Sequence, residues 1–179
     1  ELYVEFKDAK KIYELIINKG KDFNLSNCGM HAMDIMRMES GFLHWGHDIS
    51  PEENQYEAGL DFTISYKKDV NFIGKEALLK IKEKKQTKKF VMFSVKKSKP
   101  GYPLLLHDEP IYLDNEIVGR STSGNYSFNY KKNLTFGYIN TQVPIKELSN
   151  KDLFIEVEKV KYPLNIEFEA LKSKKKRIS

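Results

Sequence analysis

His44-Trp-Gly-His47-Asp48 places two imidazoles and a carboxylate within five positions, residue types that commonly hold a divalent cation. A zinc site needs three or four ligands in a fixed tetrahedron, and no second ligand pair follows at a useful spacing. His31 and His107 add nothing regular, so no metal site is expected. Met30, Met33, Met36 and Met38 offer soft sulfur within nine residues, but their helical spacing predicts core packing. Ser121-Thr-Ser-Gly124 lacks the Gly-x-x-x-x-Gly-Lys order and the following helix of a phosphate-binding loop, and reads as a hairpin turn. The serines lie in polar turns and no histidine has a paired acid at a recognisable position, so a nucleophile triad is not predicted. Arg37 and Glu39, two apart near a helix end, are expected to stabilise a buried turn rather than touch a substrate.

The elements that must carry these residues change character along the chain. Leu2-Tyr-Val-Glu-Phe6 alternates as a strand does. Asp8 is placed to cap a following helix, Ile12, Leu15 and Ile16 form its apolar stripe, and Gly20 ends it. A second helix is expected from Met30 to Met38, with Asn27 as a candidate cap and Gly41 as its stop. Leu60, Phe62, Ile64 and Tyr66 alternate over an expected strand, and Gly74 to Ile81 reads as a short helix. The run Lys80-Ile-Lys-Glu-Lys-Lys-Gln-Thr-Lys-Lys89 reads as a solvated linker and the domain boundary.

Beyond Lys89 the period becomes two. Strands are predicted over Phe90–Val95, Ile111–Leu113, Ile117–Gly119, Leu134–Ile139, Leu153–Val160 and Leu164–Phe168. Lys99-Pro-Gly101, Asp108-Glu-Pro110, Asp114-Asn115 and Ser123-Gly-Asn125 supply the turns between them. Six short antiparallel strands suggest a small barrel or sandwich.

At 179 residues with 40% apolar content the chain can bury a core, and no apolar run approaches the ~20 residues needed to cross a bilayer. The single Cys28 cannot form an internal disulfide and reads as a small buried apolar side chain in a reducing compartment, cytoplasmic or mitochondrial matrix. The net charge of +5 is concentrated in the 80–89 run and in Lys172-Ser-Lys-Lys-Lys-Arg177, which reads as a solvated tail. A nucleic-acid-binding barrel is disfavoured, because the aromatics of the second half are not interleaved with Lys and Arg on one strand face.

Arg37-Met-Glu-Ser-Gly-Phe-Leu-His-Trp-Gly-His-Asp48, Tyr56-Glu-Ala-Gly-Leu60, Asn71-Phe-Ile-Gly-Lys-Glu-Ala-Leu78, Ser123-Gly124 and Phe136-Gly-Tyr-Ile139 occur in a specific order over nearly the whole chain. In them the chain resembles the folate-binding aminomethyltransferase family, the T-protein of the glycine cleavage system and its relatives. It is most similar to the C-terminal part of dimethylglycine and sarcosine dehydrogenases. The resemblance implies an α+β fold, with residues 1–84 the C-terminal part of the folate-binding domain and residues 85–179 a small antiparallel β-barrel.

It also implies a ligand, tetrahydrofolate, and a set of contacts. Glu1 corresponds by position to the family's pterin-holding acid, whose carboxylate accepts two parallel hydrogen bonds. Met33 stands where T-proteins carry a folate-contacting arginine, a departure that favours the dehydrogenase branch over a glycine cleavage T-protein. Phe42 occupies an often aromatic position suited to stacking on the ligand or to core packing, and Trp45, after the same turn, either lines the pocket mouth or covers the core. The resemblance places the catalytic aspartate and, in the dehydrogenase branch, the FAD domain upstream. This piece is therefore expected to hold no catalytic group and to be inert alone. Its expected partners are folate, a small methylated amine and the missing N-terminal part of the same polypeptide. No membrane is expected among them.

Overall fold

The computed structural model describes residues 1–171, and these form two compact units, one of residues 1–33 and one that begins at Asp34. The basic run 172–177 lies outside the described residues. In the first unit, Glu1–Glu5 form no regular element and α1 runs Phe6–Gly20, followed by a 3-10 turn Lys21–Phe23. The expected strand Leu2–Phe6 is therefore incorrect: an alternating segment becomes a strand only with a partner to pair with, and Phe6 opens the helix instead. Asp8 sits in the first turn of α1 and makes no side-chain cap, its amide bonding the Glu5 carbonyl at 2.9 Å. Cys28 is exposed rather than buried. Asn27, proposed as the cap of the second helix, donates its side-chain amide to the Tyr13 hydroxyl at 2.8 Å.

Helix α2 runs Met30–Glu39. Of its four methionines only Met38 is buried, while Met30, Met33 and Met36 are exposed, so the core-packing expectation holds for one of them. Gly41 ends the helix at φ +74°, where a side chain would be strained. The Gly41 amide reaches the Met38 carbonyl at 3.0 Å and the Phe42 amide reaches the Arg37 carbonyl at 2.9 Å, the paired bonds of a Schellman stop. Residues 61–63 form a 3-10 turn, not the strand expected over Leu60–Tyr66. Thr63 closes that turn, its amide and hydroxyl both donating to the Leu60 carbonyl, at 3.0 and 2.6 Å. Helix α3 follows at Lys75–Lys82.

Six antiparallel strands then close a barrel in the order β1-β4-β3-β2-β5-β6. They are β1 Lys88–Val95, β2 Pro110–Leu113, β3 Glu116–Ser127, β4 Lys132–Asn140, β5 Leu153–Val157 and β6 Val160–Glu167. A short helix α4, Ile145–Leu148, lies between β4 and β5. Val91, Phe93, Val95, Ile111, Ile139 and Ile155 belong to one buried cluster, the barrel core. The alternate residues Met92, Leu134 and Phe136 form a second cluster with Met38 and Ile35 of α2. Strands β1 and β4 are therefore apolar on both faces, because both faces are covered.

Three further sequence expectations fail. The span Leu153–Val160 is two strands, turned at Glu158 and Lys159 with φ +51° and +64°; a two-residue hairpin demands left-handed backbone even of residues that rarely adopt it. Ser121–Gly124 is no hairpin but the middle of β3, where the register against β4 shifts between Ser121 and Ser123. The 80–89 run is not a free linker, since it closes α3 and opens β1. The turn at Asp114-Asn115 lies where expected, with Asp114 at φ +55°. Gly124 is required by contact: a Cβ there would stand 2.4 Å from Leu105 Cβ and 2.9 Å from its carbonyl carbon. Gly124→Ala is expected to cost about 1–3 kcal/mol in a denaturant melt, the range for overpacking a well-filled core.

Candidate functional site

Residues 37–48 are organised by one buried ion pair. Arg37, in the last turn of α2, donates from Nη1 to Asp48 Oδ2, and the two side chains are 14% and 0% exposed. Its remaining donors are spent locally. Nε reaches Asp34 Oδ1 at 2.8 Å, Nη1 reaches the Phe42 carbonyl at 3.2 Å, and Nη2 reaches Ser123 Oγ at 2.7 Å. The guanidinium also lies 5.6 Å from the centre of the Phe136 ring. A planar fork with five N–H groups suits this arrangement; a lysine could not fill it.

Asp48 is correspondingly saturated. Oδ1 accepts from Thr122 Oγ1 at 2.6 Å and Ser123 Oγ at 2.7 Å, and Oδ2 accepts from Arg37 and from the His44 amide at 2.9 Å. The shifted register in β3 offers two consecutive hydroxyls to one carboxylate, as a bulge does when it re-aims a side chain. The loop is tied further by the Asp48 amide on the His44 carbonyl at 2.8 Å and the Gly46 amide on the Ile49 carbonyl at 2.8 Å. Gly46 takes φ +86° to allow it. His44 and His47 stack at 4.7 Å between ring centres. Asp48, grouped with those histidines by its chemistry in sequence, instead serves as the anchor of this loop.

A second buried acid acts in parallel. Glu39 Oε1 accepts from Ser127 Oγ at 2.6 Å, and Asn129 Nδ2 reaches both carboxylate oxygens at 3.2 and 3.0 Å, tying α2 to the β3–β4 turn. Arg37 and Glu39 thus have the structural role expected of them, over a wider reach than one turn. The segment after Asp48 is held by Lys88, which donates to Glu53 Oε1 at 2.7 Å, and by the Phe90 amide on the Glu57 carbonyl at 2.8 Å.

With its base so fixed, the loop presents aromatic rings outward: Phe42 is 69% and Trp45 64% exposed. Met33 and Glu1 belong to the first unit. Met33 is 51% exposed, and the exposed Glu1 carboxylate accepts the Tyr3 hydroxyl, a hydrogen bond that raises the Tyr3 phenol above its ordinary value. Thr122, Ser123 and Asp34, which complete the clamp, are not singled out by the sequence as partners of Arg37 or Asp48. Only their place in or near the quoted motifs could have flagged them, since Thr122 and Ser123 lie 74 and 75 positions from Asp48.

Two family descriptions fit this chain. The GCVT N-terminal domain matches residues 1–68, and the glycine cleavage T-protein C-terminal barrel domain matches residues 88–170. The chain belongs to the glycine cleavage T-protein family. It is 34% identical over 168 residues to the mitochondrial dimethylglycine dehydrogenase of Rattus norvegicus, covering 93% of this chain and 19% of the relative. It is 35% identical over 142 residues to an aminomethyltransferase of Symbiobacterium thermophilum, covering 78% of this chain and 36% of the relative. The crystal structure of glycine cleavage system aminomethyltransferase T from Bartonella henselae shares the fold, with a TM-score of 0.72 at 21% identity over 88% of this chain and 42% of that one. The chain therefore spans less than half the length of each of these proteins, from 19% to 42%. No helix among the described residues is long and apolar enough to cross a membrane.

Two outcomes follow from the geometry. Asp48→Ala leaves Arg37 with only its ion pair to Asp34 and strips the Thr122 and Ser123 hydroxyls and the His44 amide of their acceptor, and it is expected to cost about 3 kcal/mol in a denaturant melt. The Glu53 carboxyl is pushed up by burial, but the hydrogen bonds from Lys88 and Ser50 outweigh this and hold it below its ordinary value. A carboxyl depressed in the folded state adds stability above the ordinary Glu pKa of about 4.3 and loses it as the pH falls through the folded value. The difference in melting temperature between the parent and Lys88→Met should be widest above about pH 5, narrow as the pH falls below the ordinary Glu range, and close only below the depressed folded value.

Proposed function

We propose that this chain is the C-terminal portion of a folate-dependent aminomethyltransferase-type protein of the dimethylglycine or sarcosine dehydrogenase branch. In that protein a one-carbon unit passes from a methylated amine to tetrahydrofolate. The observation that carries the reading is the Phe42–Trp45 loop, with two aromatic side chains exposed on a base made rigid by the Arg37–Asp48 pair, in a chain matched by both parts of the family.

The residues present fit a pterin and aminobenzoyl ligand. Phe42 and Trp45 offer flat apolar faces for stacking, and Glu1 offers a carboxylate able to accept two parallel hydrogen bonds from the pterin. Met33, exposed in α2, supplies an apolar contact where a guanidinium would grip a carboxylate, which favours the dehydrogenase branch over a glycine cleavage T-protein. When bound, tetrahydrofolate supplies the nucleophilic nitrogen that takes up the carbon unit; this chain binds and orients the ligand. The group that assists attack and the FAD that oxidises the N-methyl group belong to the preceding part of the polypeptide, so this piece is inert alone. Residues 1–84 complete the folate domain and residues 85–179 form its barrel.

The first unit supports a partner of this kind. Leu2, Tyr3, Phe6 and Leu15 are 71%, 90%, 99% and 56% exposed, an apolar surface that suits burial against the preceding part of the protein. The setting is a reducing aqueous compartment, cytoplasm or mitochondrial matrix.

The test uses the full-length protein. Trp45→Ala and Phe42→Ala should each weaken tetrahydrofolate binding about five- to tenfold, the worth of one aromatic stack, without lowering the melting temperature. Affinity unchanged in both variants would sink the reading. A flavin spectrum in the full-length protein marks the dehydrogenase branch, and a colourless protein of about twice this length marks the T-protein branch.

A further inference from the structure

Apart from the Phe42–Trp45 loop, the barrel carries a groove of about 460 Å3 between the loop 101–109 and the β5–β6 hairpin. Its floor is apolar and aromatic. Tyr102, Leu104 and Leu106 are 52%, 61% and 53% exposed, and Tyr162 meets Tyr102 edge-to-face at 5.7 Å with the two hydroxyls 2.9 Å apart. The side chains of Leu104 and Leu106 are exposed because the segment is extended around Leu105, which is buried in the barrel core. The walls are acidic: Asp108, Glu109, Glu156 and Glu158 line the groove, and among its described lining residues there is no Lys or Arg. This is unusual on a chain with 30 Lys and Arg and a net charge of +5.

The nearby cations are turned to other work. Lys99 lies over the Tyr102 ring of the floor at 5.5 Å, Lys161, opposite Glu156 in the β5–β6 register, lies over the Tyr112 ring at 3.7 Å, and Arg120 and His107 contact Asp108 at one end, which leaves Glu156 and Glu158 as the acids of the open wall. Glu109 is held by the Leu106 amide and by Ser121, and Glu156 accepts the Tyr112 hydroxyl at 3.0 Å through one oxygen. Glu158, exposed at the hairpin corner, makes no ion pair or hydrogen bond among the described residues.

We infer that this groove docks a basic, extended polypeptide segment of a partner, with apolar side chains on the Tyr102–Leu106 floor and Lys or Arg side chains against Glu156 and Glu158. The apolar floor supplies burial, and the acidic wall supplies sign selectivity and speed of encounter. The inference is independent of the folate reading, since it uses none of the residues of that site.

The test titrates the 179-residue chain with a fluorescent synthetic peptide alternating Lys and Leu, and with its Glu–Leu counterpart as control. The expected result is saturable binding of the basic peptide alone. It should weaken about tenfold in Glu158→Lys, weaken again in Tyr102→Ala, and fall as salt is raised through the range that screens exposed charges. Glu158→Lys breaks no hydrogen bond of the barrel, so lost binding cannot be lost folding; an unchanged melting temperature checks this. Equal binding by Glu158→Lys, equal binding of the acidic peptide, or no binding at low salt would each overturn the inference. So would peptide binding that appears only after residues 172–179 are removed, which would make the occupant the chain's own basic run. A dimer of the parent chain that Glu158→Lys dissociates would make it a second copy.

Discussion

One buried ion pair decides how the loop of residues 42–48 is arranged. Arg37 and Asp48 are taken out of water together, a step that costs several kcal/mol per charge unless every remaining donor and acceptor is met. Here they are met: four donors converge on the Asp48 carboxylate, and Arg37 divides its fork among Asp34, Asp48, Phe42 and Ser123. Such a fully partnered network has one geometry in which all of it is satisfied. It joins the end of α2, the loop and β3 in one arrangement, with Phe42 and Trp45 facing outward.

The barrel makes this possible by being apolar on both faces of β1 and β4. The inner face closes the core, and the outer face, through Met92, Leu134 and Phe136, seats Met38 and Ile35. The carboxylates flanking that helix end are satisfied by hydroxyls of β3, where the register shift presents Thr122 and Ser123 together. Glycines serve the same end: Gly137, like Gly124, leaves no room for a Cβ, which would lie 2.5 Å from the Arg120 carbonyl oxygen. The glycines of the Ser-Gly and Phe-Gly-Tyr motifs are thus accounted for by close packing of strands.

Much of this was legible in the sequence. The period-two pattern after Lys89, the Asp114-Asn115 turn and the Gly41 stop depend on local chemistry, and the structure has them. What was not legible depends on partners distant in the chain. Leu2–Phe6 and Leu60–Tyr66 alternate like strands but have no neighbour to pair with, and Met30, Met33 and Met36 repeat at helical spacing without being covered. Glu158-Lys159 carries no turn signature, and closure of the barrel imposes the turn. In the candidate site, the motif around Arg37 and Asp48 stood out, but the use of Asp48 as an acceptor for β3 hydroxyls some seventy-five positions away could not be read from spacing.

The measurement that tests this account most directly is amide hydrogen exchange, residue by residue, in the parent chain and in Asp48→Ala. The His44 amide, bound to Asp48 Oδ2, should be protected in the parent and exchange freely in the variant, with Gly46 and Asp48 following it. Phe93 and Ile139 in the barrel core should stay protected in both. Fast exchange at His44 in the parent, or unchanged protection in the variant, would contradict the claim that the Arg37–Asp48 pair holds this loop in place.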